Sequence, residues 1–345
     1  MPADLGAFLQ GVFDQVHLWA SQSPFWSALF TLGWGIVKVV LVLGFIIVNV
    51  LVLVWLERKF SGRVQSRLGP MRVGRPHGWA QTIADMIKLL GKEDIVPRAA
   101  DKALFVIAPV VIFTATMLVY VVVPMGPRAI VSDLNIGVLY LAAAASFTVI
   151  SVLMAGWGSS SKWSLLGALR GAAMLVSYEV PMVLAVMGVV LLSGTLSTNA
   201  IVKSQSGLWY ILVQPIGFLV FLAALFAELN RVPFDLAEAE SELVSGFNIE
   251  YSGLRFAFFF LAEYANLLAL SAIAVTLYFG GWQGPFLPPF VWFMLKTYGF
   301  IILVMWIRWT LPRVRVDQLL EFGWKVLLPA ALVNLAVTGV YVLLT

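Results

Sequence analysis

Residues 33–56 read GWGIVKVVLVLGFIIVNVLVLVWL, and Lys38 is the only charge in the stretch. A run of that length and apolarity matches the hydrocarbon thickness of a bilayer, which takes about 20 helical residues to cross. Seven more such runs lie at 103–124, 137–156, 165–192, 208–229, 254–280, 290–311 and 325–344. In lipid every backbone N–H and C=O must be satisfied within the chain, which leaves helices or a closed barrel, and barrel strands are shorter than these runs. The sequence therefore predicts an all-α polytopic membrane protein. Residues 1–345 are expected to form a single transmembrane domain of about eight transmembrane helices plus amphipathic interfacial helices. Composition agrees: 61% of the 345 residues are hydrophobic, 12% are charged, and the mean hydropathy is +0.94.

Placement of the basic residues orients the spans. Segment 57–102 carries Arg58, Lys59, Arg63, Arg67, Arg72, Arg75, Lys88, Lys92, Arg98 and Lys102. Loops on the same side add Lys162, Arg170, Arg231, Arg255, Arg308, Arg313, Arg315 and Lys325, which brings that side to 18 of the 22 Lys and Arg. Arg128 and Lys203 fall in opposite loops. Positive charge stays in the cytoplasm, so the loops after spans 1, 3, 5 and 7 are expected there and both termini outside. The chain has no cysteine to form a disulfide or ligate an iron–sulfur cluster, and His17 and His77 lie on opposite sides of the first span, where they cannot pair around a haem.

The acids are distributed against expectation. Between Glu228 and Glu250 the chain reads ELNRVPFDLAEAESELVSGFNIE, which gathers Glu228, Asp235, Glu238, Glu240, Glu242 and Glu250, six of the 18 acids, around one arginine, Arg231. Dense carboxylate beside lipid is the composition of a proton or cation device. Two further acids, Glu179 and Glu263, lie inside spans, where an ionisable group costs several kcal/mol unless it faces a polar interior. At about 1.5 Å per residue both fall near mid-bilayer, a desolvated setting that suits groups exchanging protons near neutrality. The plainer reading makes each a packing carboxylate bonded to Tyr178, Tyr264 or Asn266. Lys38 and Arg308 stand near span ends, where long cationic side chains snorkel. Lys296, inside span 7, is left open. Pro181 and Pro233 are expected to interrupt helix ladders beside the acids and admit water.

Two polar helices complete the pattern. Residues 5–20 place Leu5, Phe8, Leu9, Val12, Phe13, Val16 and Trp19 on one face, as an interfacial helix on the outer surface would, and Asp4 argues against a signal peptide. Residues 79–91 oppose Trp79, Ile83, Met86, Ile87 and Leu90 to Gln81, Asp85 and Lys88, which predicts a helix lying flat on the cytoplasmic interface. The linker between the first two spans is rich in Gly and Pro, which demand fixed turns, and in arginine. Glu57, Asp85, Glu93 and Asp94 interrupt its charge and it abuts lipid, so an acidic protein surface or a polar quinone headgroup suits it better than nucleic acid or anionic lipid.

Four blocks carry a resemblance. They are ERK…GRVQSRLGP…ADMIKLLGKEDIVP from Glu57, SYEVPM at Ser177–Met182, AELNRVPFDLAEAESELVSGFNIEYSG…FFLAEYANLL over Ala227–Leu268, and WIRWTLPRVRVDQLLEFGWKVLLP near the end. Together they resemble the family of the H subunit of NADH-quinone oxidoreductase, respiratory complex I, over most of residues 55–330. Met71 departs from the Asn usual in that family. The resemblance implies a component of a bacterial cytoplasmic (inner) membrane complex without a metal, flavin or iron–sulfur cluster of its own, acting on ubiquinone or menaquinone. Its partners would be peripheral-arm iron–sulfur and quinone-site subunits at the cytoplasmic loops, and antiporter-like and small subunits within the membrane. Arg58, Arg67, Asp85, Glu228, Arg231, Asp235, Arg308, Arg313 and Arg315 would line the quinone channel and chamber. Glu179, Glu228, Glu238, Glu240, Glu242, Glu250 and Glu263 would form a carboxylate path for protons.

Three other readings are open at this point. The membrane component of an energy-converting hydrogenase would use the same carboxylates without quinone. A stand-alone proton or cation transporter would show two-fold repeats with broken helices, and the two halves differ in loop length and charge. A structural anchor would leave Glu179 and Glu263 unexplained.

Overall fold

The computed structural model describes residues 24–237 and 240–344. The helix expected at 5–20 lies outside them. Among the described residues seven helices are long and apolar enough to cross a membrane, and an eighth apolar helix is shorter. Helix α1 (Pro24–Val64) continues beyond the apolar run into Glu57–Val64. The chain divides after Val48: the unit Met1–Val48 contributes the first part of α1, and the unit Asn49–Thr345 holds the remainder, including every contact given below.

Helix α2 (Gln81–Leu90) leaves Ile83, Met86, Ile87 and Leu90 exposed, the apolar face expected of a flat interfacial helix. Helix α3 (Lys102–Val119) starts where Asp101 accepts hydrogen bonds from the N–H groups of Ala103 and Leu104 at 3.1 and 3.4 Å. Helices α4 (Gly137–Gly158) and α5 (Lys162–Ser193) follow, and α5 closes at Gly194 with φ 66°, a left-handed conformation natural to glycine. Helix α5 runs through Pro181 without interruption. The break expected there does not occur: Pro181 has no N–H to give the ladder, but the helix continues through it.

The fifth run is the one that breaks. Short helices α6 (Thr198–Ser204) and α7 (Tyr210–Val213) precede α8 (Pro215–Glu228), so the span expected over 208–229 is interrupted at Gln214. Gln214 has φ −127° and ψ 62°, outside the helical region, and Pro215 offers no N–H to continue α7. Beyond the acidic loop with its one-turn helix α9 (Glu240–Leu243) come α10 (Gly253–Tyr278) and α11 (Pro289–Thr310). Helices α12 (Val316–Phe322) and α13 (Leu328–Leu344) are joined by a π-helical stretch, Gly323–Leu327, so the last span begins at Val316, earlier than residue 325.

Helix α3 packs on α4, α4 on α5, α5 on α8 and α13, and α10 on α3 and α11. Small residues set these approaches, as is usual where lipid supplies no hydrophobic drive between helices. The acidic loop is seated on this bundle. Ala237, Phe247 and Tyr251 join Phe105, Val152, Ala168, Leu175 and Phe259 in one buried apolar cluster. At Gly167 a Cβ would come within 2.7 Å of the Gly246 backbone, so glycine is what lets the loop lie against α5.

Candidate functional site

Glu228 ends α8, and Asn230, at φ 49°, reverses the chain and turns Arg231 into the protein. Arg231 is 1% exposed and is the largest fully buried side chain among the described residues. Its Nη1 donates to Glu57 Oε2 at 2.7 Å and its Nη2 to Glu263 Oε1 at 2.9 Å. The ring of Tyr264 faces the guanidinium with its centroid 4.7 Å away. The other oxygen of Glu57 accepts from Arg308 Nη1. The result is an alternating chain Arg308–Glu57–Arg231–Glu263 that ties α1, α11, the turn after α8 and α10 together.

Two expectations change here. Arg308 does not snorkel to the interface; it turns inward because Glu57 offers a buried counter-charge. Glu263 is not held by Tyr264 or Asn266 as a packing carboxylate would be; its partner is Arg231. Glu57 itself was visible in the sequence only as an acid interrupting a basic stretch. The available signal was an acid placed immediately after an apolar span, too close to lipid to be a casual surface charge.

The other membrane carboxylates are served differently. Glu228, 7% exposed, lies 3.2 Å from Thr148 Oγ1, and Glu179 lies 2.6 Å from Ser146 Oγ. Each hydroxyl also has a backbone carbonyl in reach, Ala145 at 2.7 Å and Ala142 at 3.2 Å. A hydroxyl can donate to a carboxylate or, with its own hydrogen turned to the carbonyl, accept from a carboxylic acid. Both protonation forms of Glu179 and Glu228 therefore find a partner. A guanidinium only donates and carries positive charge, so it offers nothing to the O–H of a carboxylic acid and the arginine chain favours the anions.

Two cavities connect these groups. One, of about 270 Å³, is lined by Glu228, Asn230, Glu263, Tyr264 and Arg308. The second, of about 230 Å³, is walled by apolar residues and contains Glu179 and Glu228. Thr116, Thr148, Glu228 and Asn266 line both, and each has room for several waters. Pro233, the other proline expected to open a helix ladder, lies in the turn after α8, outside any helix.

The loop residues divide into engaged and exposed. Arg58 pairs with Asp85, whose second oxygen accepts from Gln81 at 3.0 Å, so the end of α1 is fastened to α2. Glu242 accepts from Arg170 at 2.6 Å and has Arg313 at 4.0 Å. The hydrogen bond from Arg170 holds the Glu242 carboxyl below its ordinary range, with the charges of Arg313 and Arg170 adding to the effect. Arg67 bonds its neighbour Gln65, at 2.7 Å, and edges an open groove of about 560 Å³ that Lys59, Arg63, Trp55 and Phe60 also line. Arg315, paired with Asp317, is on the surface. Asp235 and Glu250 are half-buried in the acidic loop. Glu238 and the side chain of Glu240 lie outside the described residues. The basic linker is ordered at its far end, where Ser252, just before α10, accepts from Ile95 N at 3.0 Å and donates to Glu93 O at 3.2 Å. In that linker Lys59 Nζ lies 2.9 Å from the sulfur of Met71.

Lys296, left open by the sequence, has a defined place. Its Nζ donates to the carbonyls of Phe279, Gly281 and Gln283 at 2.7, 3.1 and 2.7 Å and sits 4.5 Å from the ring centre of Trp209. It closes the C-terminal end of α10, where a cation is favoured by the helix dipole. Among the described residues no three His, Asp or Glu side chains gather as metal ligands would.

Known proteins are similar to this chain along nearly all of its length. A family model described as NADH dehydrogenase matches residues 37–339. The H subunit of NADH-quinone oxidoreductase from Dehalococcoides mccartyi (strain ATCC BAA-2266 / KCTC 15142 / 195) is 52% identical over 321 residues, which cover 93% of this chain and 89% of the relative. The protein of that name from Anoxybacillus flavithermus is 50% identical over 324 residues, 92% of this chain and 96% of the relative. The one from Bacillus cytotoxicus is 49% identical over 322 residues, with the same coverage.

Proposed function

The chain belongs to the NADH dehydrogenase family, as an H subunit of NADH-quinone oxidoreductase, and from that premise we propose how its residues divide the work of quinone reduction and proton movement. It is a multi-pass inner-membrane component of a multisubunit oxidoreductase, complex I, whose substrate is quinone and whose other subunits are its partners. Its relatives are named for quinone as the acceptor, which favours this reading over a hydrogenase component or a stand-alone transporter.

In the proposed reading a ubiquinone or menaquinone headgroup enters beside α1 and α2, past Arg58 and Asp85. The cytoplasmic loops 57–102 and 228–253 form its chamber together with peripheral-arm iron–sulfur and quinone-site subunits. Arg67, Asp235, Arg313 and Arg315 face those partners, and Arg231 and Arg308 back the chamber from below. The termini lie on the outer side. Reduction of quinone creates a demand for protons, and in a low-dielectric interior a change of charge is felt over many ångströms. The arginine chain carries that change to Glu263. Glu228 and Glu179, with the loop acids Glu238, Glu240, Glu242 and Glu250, take up and pass protons toward antiporter-like and small subunits in the membrane. They titrate as a coupled row.

The observation that supports this reading most is the pair of cavities sharing Glu228, one reaching the arginine chain and the other Glu179. Its test compares two activities. Arg58→Ala and Arg67→Ala in the assembled complex are expected to lower NADH:quinone turnover while leaving NADH oxidation by a hydrophilic artificial acceptor intact. Unchanged quinone turnover would remove these arginines from the channel, and equal loss of both activities would mark a failure of assembly.

A further inference from the structure

The open groove of about 560 Å³ at the end of α1 combines apolar surface with positive charge. Trp55, Leu56 and Phe60 of α1 and Ile302 of α11 supply the first, and Lys59, Arg63 and Arg67 the second. Trp55, Lys59 and Arg63 recur every four residues, which stacks them along one face of α1. Arg58 is turned about 100° from Lys59 around the helix axis. This face is therefore not the one that meets α2 through the pair of Arg58 and Asp85.

Depth separates the two kinds of residue. Trp55 and Leu56 end the first apolar run, whereas Lys59 lies about 4–5 Å and Arg63 about 10 Å further along the axis, at about 1.5 Å per residue. A headgroup layer is about 5–8 Å thick, within reach of both long cationic side chains. The charges are uncompensated. No Asp or Glu lines the groove. Lys59 Nζ has only the weakly accepting sulfur of Met71 at 2.9 Å, Arg67 Nε has the neutral amide oxygen of Gln65 at 2.7 Å, and Arg63 is exposed. An occupant that matches this groove carries an anionic head at the membrane surface and an apolar tail at hydrocarbon depth. A quinone headgroup is uncharged, and an acidic protein segment has no such tail to run down beside Trp55.

We propose that this groove binds one anionic phospholipid, its phosphate held by Lys59 and Arg63 and an acyl chain laid along Trp55, Leu56 and Ile302. Basic pockets at the ends of membrane helices suit such headgroups. The lipid braces α1 on the side nearly opposite Glu57, since two residues turn a helix by about 200°.

The test uses the whole assembled complex, washed free of native lipid in detergent and placed in nanodiscs of phosphatidylcholine alone or mixed with phosphatidylglycerol. Electron cryo-microscopy should show a headgroup with an attached chain in the groove, its phosphate within about 3–4 Å of Lys59 Nζ and the Arg63 guanidinium, with phosphatidylglycerol present and not with phosphatidylcholine alone. Mass spectrometry of the complex released from the discs counts the phosphatidylglycerol it retains. Lys59→Gln combined with Arg63→Gln should weaken that retention by about 10-fold or more. Equal density in the two lipid compositions would overturn the proposal, because charge would then play no part. So would a polypeptide segment of another subunit in the groove, or a head without a chain that inorganic phosphate reproduces in phosphatidylcholine. If the double variant does not assemble, the wild-type comparison between the two compositions decides.

Discussion

Four acids in or beside the membrane, Glu57 and Glu228 buried and Glu179 and Glu263 half-buried, fall into two groups. Glu57 and Glu263 share Arg231, with Arg308 closing the row, whereas Glu179 and Glu228 have the hydroxyls of Ser146 and Thr148. The first arrangement supports fixed charge, because a neighbouring guanidinium charge favours the anion. The second tolerates gain or loss of a proton without leaving a group unpaired. A membrane carboxylate is therefore not a mechanism in itself: what it is bonded to decides whether it transmits charge or moves a proton.

Arg231→Met should break the first group with the largest effect. It strands Glu263 and leaves Glu57 with Arg308 alone, and removing one partner of a buried ion pair costs about 3–5 kcal/mol. No assembled complex is expected on a native gel. Normal assembly would mean that the arginine chain is not what holds α1, α10 and α11 together. Glu263→Gln should fall in the same class, reducing yield as well as turnover.

The second group should behave otherwise. Glu228→Gln and Glu179→Gln preserve shape and hydrogen bonding, so the complex should assemble, reduce an artificial acceptor normally, and pump fewer protons per NADH in reconstituted vesicles. Acting in one row, the two should be non-additive, the double variant losing much less than the product of the single losses. Wild-type pumping in both single variants would dissolve the distinction between the groups.

Smaller effects sharpen the comparison at its edges. Lys296→Met removes three hydrogen bonds to carbonyls far from either group; a loss of about 1–3 kcal/mol is expected, read as a lowered melting temperature with turnover per assembled complex unchanged. The weakest effect concerns Glu242. Its carboxyl is held below the ordinary value of 4.5 by Arg170, so its contribution to the fold of the acidic loop is present above that value and lost as pH falls through the lower, folded one. Hydrogen exchange of segment 240–250 should therefore rise below about pH 4.5, and Glu242→Gln should abolish that rise.

Much of this was legible in the sequence. Apolar run length gave the helices, amphipathic spacing gave α2, and charge placed in spans gave Glu179 and Glu263, since each of these signals is local. Pairing was not local. Arg231 and Glu57 stand 174 positions apart, and Arg308 and Glu57 stand 251 apart. No periodicity reports such a contact, so Glu57 was read as part of a basic surface and Arg308 as a snorkelling side chain. Prolines misled in both directions: Pro181 sits inside an unbroken helix, while the real interruption falls at Pro215, where a preceding non-helical residue, Gln214, found buried partners.

That interruption leaves α8 with 14 residues, a length of about 21 Å at 1.5 Å per residue, beside a hydrocarbon layer of about 30 Å. Ile216 and Leu219 on its first turns are nevertheless exposed from the protein and face outward. Either acyl chains compress beside them or a neighbouring protein of the complex covers the shortfall, and each ångström of mismatch carries a fraction of a kcal/mol. Where lipid borders this helix, the length of its tails enters the energetics of the element that carries Glu228, and bilayer thickness acts there as a mechanical load on the protein.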